Sequence, residues 1–207
     1  MKIYVVGDST KKFANLDNIR EKFIVNESHS GDNIDFLNPW YCELTGLYYL
    51  WRNNTDDIIG LEHYRRYFVN DNGSLISACE INDMLSNADM LLREYIFPPQ
   101  YPNAIAHFSK ERLPYMLDFV NSFNPAEKTY FMDRLHNSKS FAQCNMFIGR
   151  REIIDLYMKW LLKHTTAIPF DTMIRSPRLI GYLAEFTFGF WLDYMGYKTT
   201  YCPSITL

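Results

Sequence analysis

Short apolar runs alternate with longer segments of helical periodicity along most of this 207-residue chain. This alternation predicts an α/β fold with a mostly parallel central sheet flanked by helices. The chain has no internal repeat and no low-complexity linker, so we expect a single domain over residues 1–207. The strand candidates are Lys2–Val6, Lys22–Asn26, Asp57–Leu61, Ala88–Leu92, Asn145–Gly149 and Lys198–Cys202.

Five helices are predicted between these strands from apolar spacing and from proline and glycine positions. Asn38 is a candidate cap for the first of them, and Pro114 is a candidate break in the second. The segments Gly31–Asn38 and Asn70–Ser74 are typical of loops. The predicted helices are Pro39–Asn53, Ala104–Phe119, a helix after Pro125, Glu152–Lys163, and a helix that begins after Pro177 and stops at Gly196.

Charge and cysteine content exclude several classes of protein. The net charge is −3 and no strongly basic patch is present, which argues against nucleic acid as the main partner. The four cysteines include no C-x-x-C pair, so they indicate reduced thiols rather than a zinc or redox site. The first residues lack the long apolar region of a signal peptide, and no window approaches the ~20 apolar residues of a membrane span. We therefore expect a cytoplasmic protein without a transmembrane segment.

The apolar run Ile58–Leu61 ends directly in a cluster of histidine, arginine and tyrosine. Arg65 and Arg66 beside His63 and Tyr64 would repel each other unless an anion lies between them, and guanidinium groups suit phosphate. Ligands of α/β sheets bind beyond the carboxyl ends of strands. The cluster therefore predicts the phosphate-binding rim of a pocket. The alternative is a solvated strand edge, and in an extended segment only one of the two arginines would face a given ligand.

A second group of candidates surrounds the start of the first predicted helix. Asp32 and Asn33 follow Gly31, and short polar side chains there can hold a sugar hydroxyl, although the same residues form ordinary turns. Tyr41 and Glu43 lie in the first turns of the helix. One face of this helix could form a wall of a cleft, and its residues are Asn38, Tyr41, Cys42 and Thr45. The helix dipole alone also accounts for a glutamate at this position.

Two further candidates lie later in the chain. Asn145 opens a strand candidate, where its amide could bond a ligand or close a turn. Glu185 has apolar neighbours, so it either pairs with a cation or has a raised pKa, which suits a general base. Arg178 lies near the same helical face and could bind a ligand. A structural ion pair of Glu185 with Arg178 or Arg65 is the alternative.

The sequence lacks the motifs of several enzyme classes. It contains no H-E-x-x-H, G-x-S-x-G, Walker or G-x-G-x-x-G motif, and no D-x-D triplet. The histidines show no metal-ligand spacing. We therefore expect no cofactor, while a divalent metal such as Mn²⁺ or Mg²⁺ remains the alternative.

Residues 38–51 and 59–68, the latter with the block His63-Tyr64-Arg65-Arg66-Tyr67-Phe68, resemble the signature of a bacterial family long called a domain of unknown function. Its members occur in capsule and lipopolysaccharide gene clusters and are regarded as glycosyltransferases. Residues 31–34, 145–148 and 181–185 are similar to other blocks of that family, in the same order. The chain departs from the family pattern at Phe186, where an arginine is usual, and in a shortened stretch before Asn145.

The resemblance implies a GT-A-like fold and a hexosyltransferase. It implies transfer of a hexose, with galactofuranose one candidate, from a nucleotide-diphosphate sugar such as a UDP-sugar. The acceptor would be a saccharide or a lipid-linked saccharide in capsule, exopolysaccharide or lipopolysaccharide synthesis. Such an enzyme would work in the cytoplasm, at the inner face of the membrane, with peripheral membrane contact.

The residues suggest roles within that reaction. We expect His63, Arg65 and Arg66 to bind the donor diphosphate in place of a metal held by D-x-D. Glu185 is the first candidate base and Asp32 the second. The remaining candidates for donor or acceptor binding are Asn33, Tyr41, Glu43, Tyr64, Asn145 and Arg178.

Three alternatives to a glycosyltransferase are open. A non-catalytic nucleotide- or glycan-binding module of a polysaccharide assembly system would need the arginines but no base. A phosphoester hydrolase would need a nucleophile or metal cluster that the sequence does not show. A structural subunit would be favoured if Arg65 and Arg66 were paired with carboxylates of the protein.

Overall fold

An eight-stranded sheet forms the centre of the molecule in a computed structural model that describes residues 1–108 and 111–207. Each predicted strand is confirmed, although β6 begins five residues before its predicted start. Two short strands, β4 and β8, were not predicted. The strands are β1 (Lys2–Gly7), β2 (Arg20–Ile24), β3 (Ile58–His63), β4 (Arg66–Phe68), β5 (Met90–Ile96), β6 (Ser140–Arg150), β7 (Thr199–Tyr201) and β8 (Ser204–Thr206).

The main path of the sheet has the order β2-β1-β3-β6-β5-β7. Strand β1 is parallel to β2 and β3, and β7 is parallel to β5. Strand β6 is antiparallel to both of its neighbours. Along this path through the described residues, five strands therefore share one direction and β6 runs against them. The predicted α/β fold with a mostly parallel sheet is confirmed, since six of the eight strands share one direction, and β4 and β6 are the exceptions.

The helices cover the two faces of the sheet. The predicted α6, α7 and α9 are confirmed as helices, whereas α3 and α8 were not predicted. The sequence did contain a pattern typical of a helix start before α3, because Ser77 and Glu80 have the spacing of a capping box and form one in the structure. The helices are α1 (Asn38–Tyr41), α2 (Leu44–Asn53), α3 (Ala78–Leu85), α4 (Ala104–His107), α5 (Leu113–Asn121), α6 (Pro125–Asn137), α7 (Arg151–Thr165), α8 (Phe170–Arg175) and α9 (Leu179–Tyr194).

Two helices that were predicted to be continuous are each divided into two shorter helices. The helix expected over Pro39–Asn53 is broken at Cys42, whose φ of 52° is incompatible with a right-handed helix. Asn38 is the first residue of α1 rather than its cap, and its side chain accepts a hydrogen bond from Thr45 instead. The helix expected over 104–119 is replaced by α4 and α5, and residues 109–110 of it lie outside the described part. The loop expected over 31–38 includes one 3-10 turn at Asp35–Leu37.

Helix α9 lies at the centre of the larger apolar core. It is apolar on nearly every side, and it packs against β6 on one side and α7 on another. Leu183, Phe188 and Leu192 are fully buried there. A smaller core on the other face of the sheet joins Ile3, Phe68 and neighbouring side chains to α3. Among the described residues, no helix is long and apolar enough to cross a membrane.

Candidate active-site cleft

A cleft of about 650 Å³ opens at the carboxyl ends of β1 and β3. After β1 the chain moves to β2 on one side, and after β3 it moves to the other side of the sheet. Ligands of open α/β sheets bind at such a divergence. Five segments supply most of the lining: the end of β1, the end of β3, the junction of α1 and α2, the middle of β6, and the start of α9.

Both arginines of the predicted rim line this cleft. The chain turns at Tyr64 and Arg65, so that His63 on β3 pairs with Arg66 on β4. The turn corrects the expectation that an extended segment would present only one arginine. The Arg65 guanidinium also lies 5.7 Å from the centre of the Tyr64 ring. None of the salt bridges found among residues 1–108 and 111–207 includes Arg65, Arg66 or Arg178, which also lines the cleft.

His63 lies in the cleft but differs from its predicted role as a cation. Its Nε2 is 2.6 Å from the backbone carbonyl of Cys144, and since a carbonyl only accepts, the imidazole donates. Burial lowers the pKa of His63, and the nearby charges of Arg66 and Arg65 lower it further. A neutral imidazole therefore anchors β6 to β3, and the positive charge of the rim comes from the arginines.

Glu185 lies in the cleft on the first half of α9. Its Oε1 accepts a hydrogen bond of 2.7 Å from the backbone N–H of Cys144. Burial, followed by the negative charge of Glu43, raises the pKa of Glu185 to about 7. The ion pairs of Glu185 with Arg178 or Arg65, considered as alternatives, are absent from the salt bridges of the described residues. A half-buried carboxylate with this pKa can take up a proton at neutral pH.

A bulge in β6 supplies the backbone groups that hold these side chains. Leu92 pairs with Phe147 and Glu94 with Ala142, so Arg93 alone faces four residues of β6, 143–146. The bulge directs the N–H of one of these, Cys144, toward Glu185 and its carbonyl toward His63. Sheet bulges commonly orient side chains beside functional sites.

Asn145 lies inside β6 rather than at its entrance, and it positions a cleft residue instead of lining the cleft. Its side chain is 2% exposed. The amide nitrogen donates to Glu43 Oε1 at 2.7 Å and to the Gly181 carbonyl at 3.1 Å. Asn145 thus connects β6 to Glu43, which does line the cleft, and to α9.

Backbone strain is concentrated around the cleft. Within the described chain, the non-glycine residues with left-handed φ are Cys42, Cys144, Asn145 and Arg178. All but Asn145 line the cleft, and Asn145 bonds Glu43 there. A non-glycine residue in this region costs about 1–2 kcal/mol and persists where the surroundings enforce it, often at functional sites.

Besides Asn145, three predicted site residues lie outside the cleft. Asp32 is exposed and pairs with Arg52, with 2.6 Å between its Oδ2 and the arginine Nε, and it also accepts a hydrogen bond from Tyr48. Asn33 bonds the backbone of its own loop. The Tyr41 ring is buried, and its hydroxyl donates to Thr165 on α7. The structure therefore separates Asp32 from Glu185, the other candidate base.

Sequence reasoning missed several cleft residues. Gly7 ends β1 and Asp8 follows it, and the rule that identified the end of β3 could have found them, because the two strands are parallel neighbours. His107 and Gln143 also line the cleft, and no sequence signal marked them. In the part of the chain that the structure describes, no group of three or more His, Cys, Asp or Glu side chains could hold a metal ion.

The fold and this cleft define a single-sheet α/β protein with a candidate ligand site at the divergence of β1 and β3. The chain belongs to the family described as Domain of unknown function (DUF4422), which it matches over residues 4–196. No curated protein matches the chain.

One solved structure has the same fold. It is the apo structure of WbbM, a bifunctional glycosyltransferase, with a TM-score of 0.78 and 22% sequence identity. The match covers 100% of this chain and 45% of the WbbM chain. The present chain therefore spans less than half the length of that protein, and the likeness establishes the fold.

Proposed function

We propose that the chain is a glycosyltransferase that moves a hexose from a nucleotide-diphosphate sugar to a saccharide acceptor. The proposal rests on one observation about the cleft. It contains three arginines that form no salt bridge with any described residue, and these lie beside a glutamate with a raised pKa. The family membership and the fold shared with WbbM support it. The resemblance of the sequence favours a UDP-sugar as donor, with galactofuranose one candidate for the hexose.

The arginines account for donor binding. Glycosyl transfer leaves a nucleoside diphosphate, whose charge must be balanced as the glycosidic bond breaks. Arg65 and Arg66 lie at the carboxyl end of β3, where guanidinium groups can make charge-assisted hydrogen bonds to phosphate. We propose that they take the place of a D-x-D-bound metal. Activity that EDTA abolishes and Mn²⁺ restores would contradict this part of the proposal.

Glu185 accounts for activation of the acceptor. A hydroxyl is a poor nucleophile until a base removes its proton, and a carboxylate with a pKa near 7 is matched to that task. The Cys144 N–H fixes one oxygen of Glu185, and the other oxygen can accept the proton. For the acceptor we propose the class that the sequence resemblance implies, which is a saccharide or a lipid-linked saccharide. The reaction would serve capsule, exopolysaccharide or lipopolysaccharide synthesis at the inner face of the membrane.

The test is titration of UDP and UDP-hexoses into the wild-type protein and the double variant Arg65→Ala/Arg66→Ala. Because no salt bridge of the described residues includes either arginine, the variant should fold normally. Hydrogen bonds to charged groups contribute about 1.5–3 kcal/mol each, so we expect affinity to fall by at least about tenfold. Arg52→Ala is the control, since Arg52 is exposed and lies outside the cleft. Equal affinity of the double variant and wild type would contradict the proposal.

A non-catalytic module that binds a nucleotide or glycan is the second candidate. The arginines outside any salt bridge of the described residues explain anion binding without any need for Glu185. Slow release of UDP from a UDP-hexose in the absence of acceptor separates the two functions. Only a transferase that admits water should release UDP, and Glu185→Gln should slow that release.

A further inference from the structure

One part of the cleft lining is neutral and aromatic. It consists of His107, Phe141, Gln143 and Phe186. The Phe141 and Phe186 rings stack with centres 4.2 Å apart and planes 9° apart, and each is 4% exposed. The His107 ring lies 6.4 Å from Phe141 and 6.0 Å from Phe186. Gln143 follows Phe141 by two residues on β6, and both residues line the cleft.

Two side-chain atoms of this region are buried without a hydrogen-bond partner among the described residues. They are His107 Nδ1 and Gln143 Oε1. A buried polar atom without a partner costs about 1–3 kcal/mol, and native proteins contain few such atoms. Two of the four such atoms among the described residues lie in this cleft, on the separate elements α4 and β6, where a bound ligand can supply the missing partners.

The chemistry of the two side chains selects a neutral ligand with hydroxyl groups. Burial lowers the pKa of His107, so its imidazole is neutral and has one donor and one acceptor nitrogen. The Gln143 oxygen only accepts. A sugar hydroxyl can donate and accept, and therefore satisfies both atoms. An anionic ligand group would find its complement at Arg65, Arg66 and Arg178 instead.

We infer that His107 and Gln143 bind hydroxyl groups of a neutral hexose acceptor, an inference that rests on the proposed function. The site adjoins the candidate base, because Gln143 precedes Cys144, whose N–H holds Glu185. Phe186 directly follows Glu185 on α9. A hexose bound to His107 and Gln143 thus lies beside the carboxylate that would deprotonate it, while Arg65 and Arg66 would bind the donor diphosphate.

The experiment compares binding of methyl hexosides to wild type, His107→Phe and Gln143→Met in the presence of saturating UDP. Saturation-transfer NMR gives the affinity for a panel of methyl gluco-, galacto- and mannopyranosides. Both substitutions keep the approximate shape and remove the unpartnered atom. One neutral hydrogen bond corresponds to about three- to tenfold in affinity, so we expect a loss of that size in each variant. Affinity for UDP should not change.

His164→Phe is the matched control. Its Nε2 is also buried without a partner in the described chain, but it lies in a separate apolar pocket between α5 and α7. All three substitutions remove an unsatisfied atom, so none should lower the melting temperature. Only the two cleft variants should lose hexoside affinity.

Three results would overturn the inference. They are unchanged hexoside affinity in both cleft variants, equal loss in His164→Phe, and absence of binding of every methyl hexoside to a wild-type protein that binds UDP. The last result would leave the proposed donor site intact. Failure of wild type to bind UDP or any UDP-hexose would instead count against the proposed function itself. A cleft variant that unfolds would show that its polar atom has a structural partner, which also contradicts the inference.

Discussion

Two groups of arginine and glutamate flank β3, and they differ in how completely their charges are paired. Glu62 and His63 are consecutive, so their side chains lie on opposite faces of the sheet. On the face of Glu62, its two oxygens accept hydrogen bonds of 2.7 and 3.1 Å from Arg20, and both side chains are fully buried. Arg20 also bonds Asp17, and Glu62 accepts from the Phe68 N–H at 2.9 Å. We call Arg20 and Glu62 the buried ion pair.

The cleft on the other side has the same residue types with few partners. Glu185 accepts one backbone hydrogen bond, and Arg65, Arg66 and Arg178 are absent from every salt bridge of the described residues. Charged side chains of the same types are therefore paired with each other on one side of the strand and, among the described residues, unpaired on the other. Charges that are paired with each other stabilise the fold, whereas unpaired charges in a cleft are candidates for ligand binding.

The largest effect is expected from Glu62→Ala, which breaks the buried ion pair. It leaves the Arg20 guanidinium buried beside an empty space and removes the acceptor of the Phe68 N–H. Loss of one partner of a buried pair costs about 3–5 kcal/mol. We expect urea denaturation to show a decrease of that size in the free energy of unfolding.

Replacement of both partners sharpens this test. Arg20→Met/Glu62→Met leaves no buried charge, so it should destabilise the protein less than Glu62→Ala alone. If Glu62→Ala unfolded at the wild-type urea concentration, the buried ion pair would not be structural, and the contrast with the cleft would fail.

Glu185→Gln should act on catalysis rather than on folding. General bases typically contribute 10²- to 10⁴-fold, so we expect turnover of a UDP-hexose with acceptor to fall by about that factor. The amide keeps an oxygen for the Cys144 N–H, so donor affinity should stay near wild type. Unchanged turnover would remove Glu185 from the role of base.

The pH dependence of turnover and of stability, compared between wild type and Glu185→Gln, tests the raised pKa of Glu185. The reactive form of a base is deprotonated, so wild-type turnover should rise as the pH increases through about 7, the pKa of Glu185. Stability should change in the opposite direction. The pKa is raised from its usual value of 4.5, so between 4.5 and about 7 the folded state holds more protons than the unfolded state. Free energy of unfolding should therefore fall with rising pH in this window, and Glu185→Gln should abolish that part of the slope.

The sequence was sufficient to predict the parts of the cleft that follow from local patterns. An apolar run ending in Arg65 and Arg66 predicted a strand and its ligand-facing end, and both arginines line the cleft. Glu185 stood out because a carboxylate among apolar neighbours needs an explanation. In both cases the pattern of apolar and charged residues spans only a few neighbouring positions, so it can be recognised without knowledge of the tertiary fold.

Other parts depend on contacts between distant residues, and local patterns do not encode them. The bulge in β6 forms because Cys144 and Asn145 take left-handed φ values, although cysteine has no preference for them. The break at Cys42 accompanies close packing against Gly181, where an added Cβ would lie 3.3 Å from the cysteine Sγ. His107 reaches the cleft from α4, and nothing in its neighbouring sequence indicates the position of that helix.

The smallest effect is expected from Asp32→Asn, which tests whether an already paired carboxylate outside the cleft takes part in the reaction. Asp32 is exposed, and Arg52 with Tyr48 lowers its pKa, which makes it a weak base. We expect turnover, donor affinity and the pH profile to match wild type in steady-state assays. A loss of turnover as large as that of Glu185→Gln would show that the loop at residues 31–34 reaches the reacting groups. Pairing would then no longer distinguish the structural charges of this protein from its functional ones.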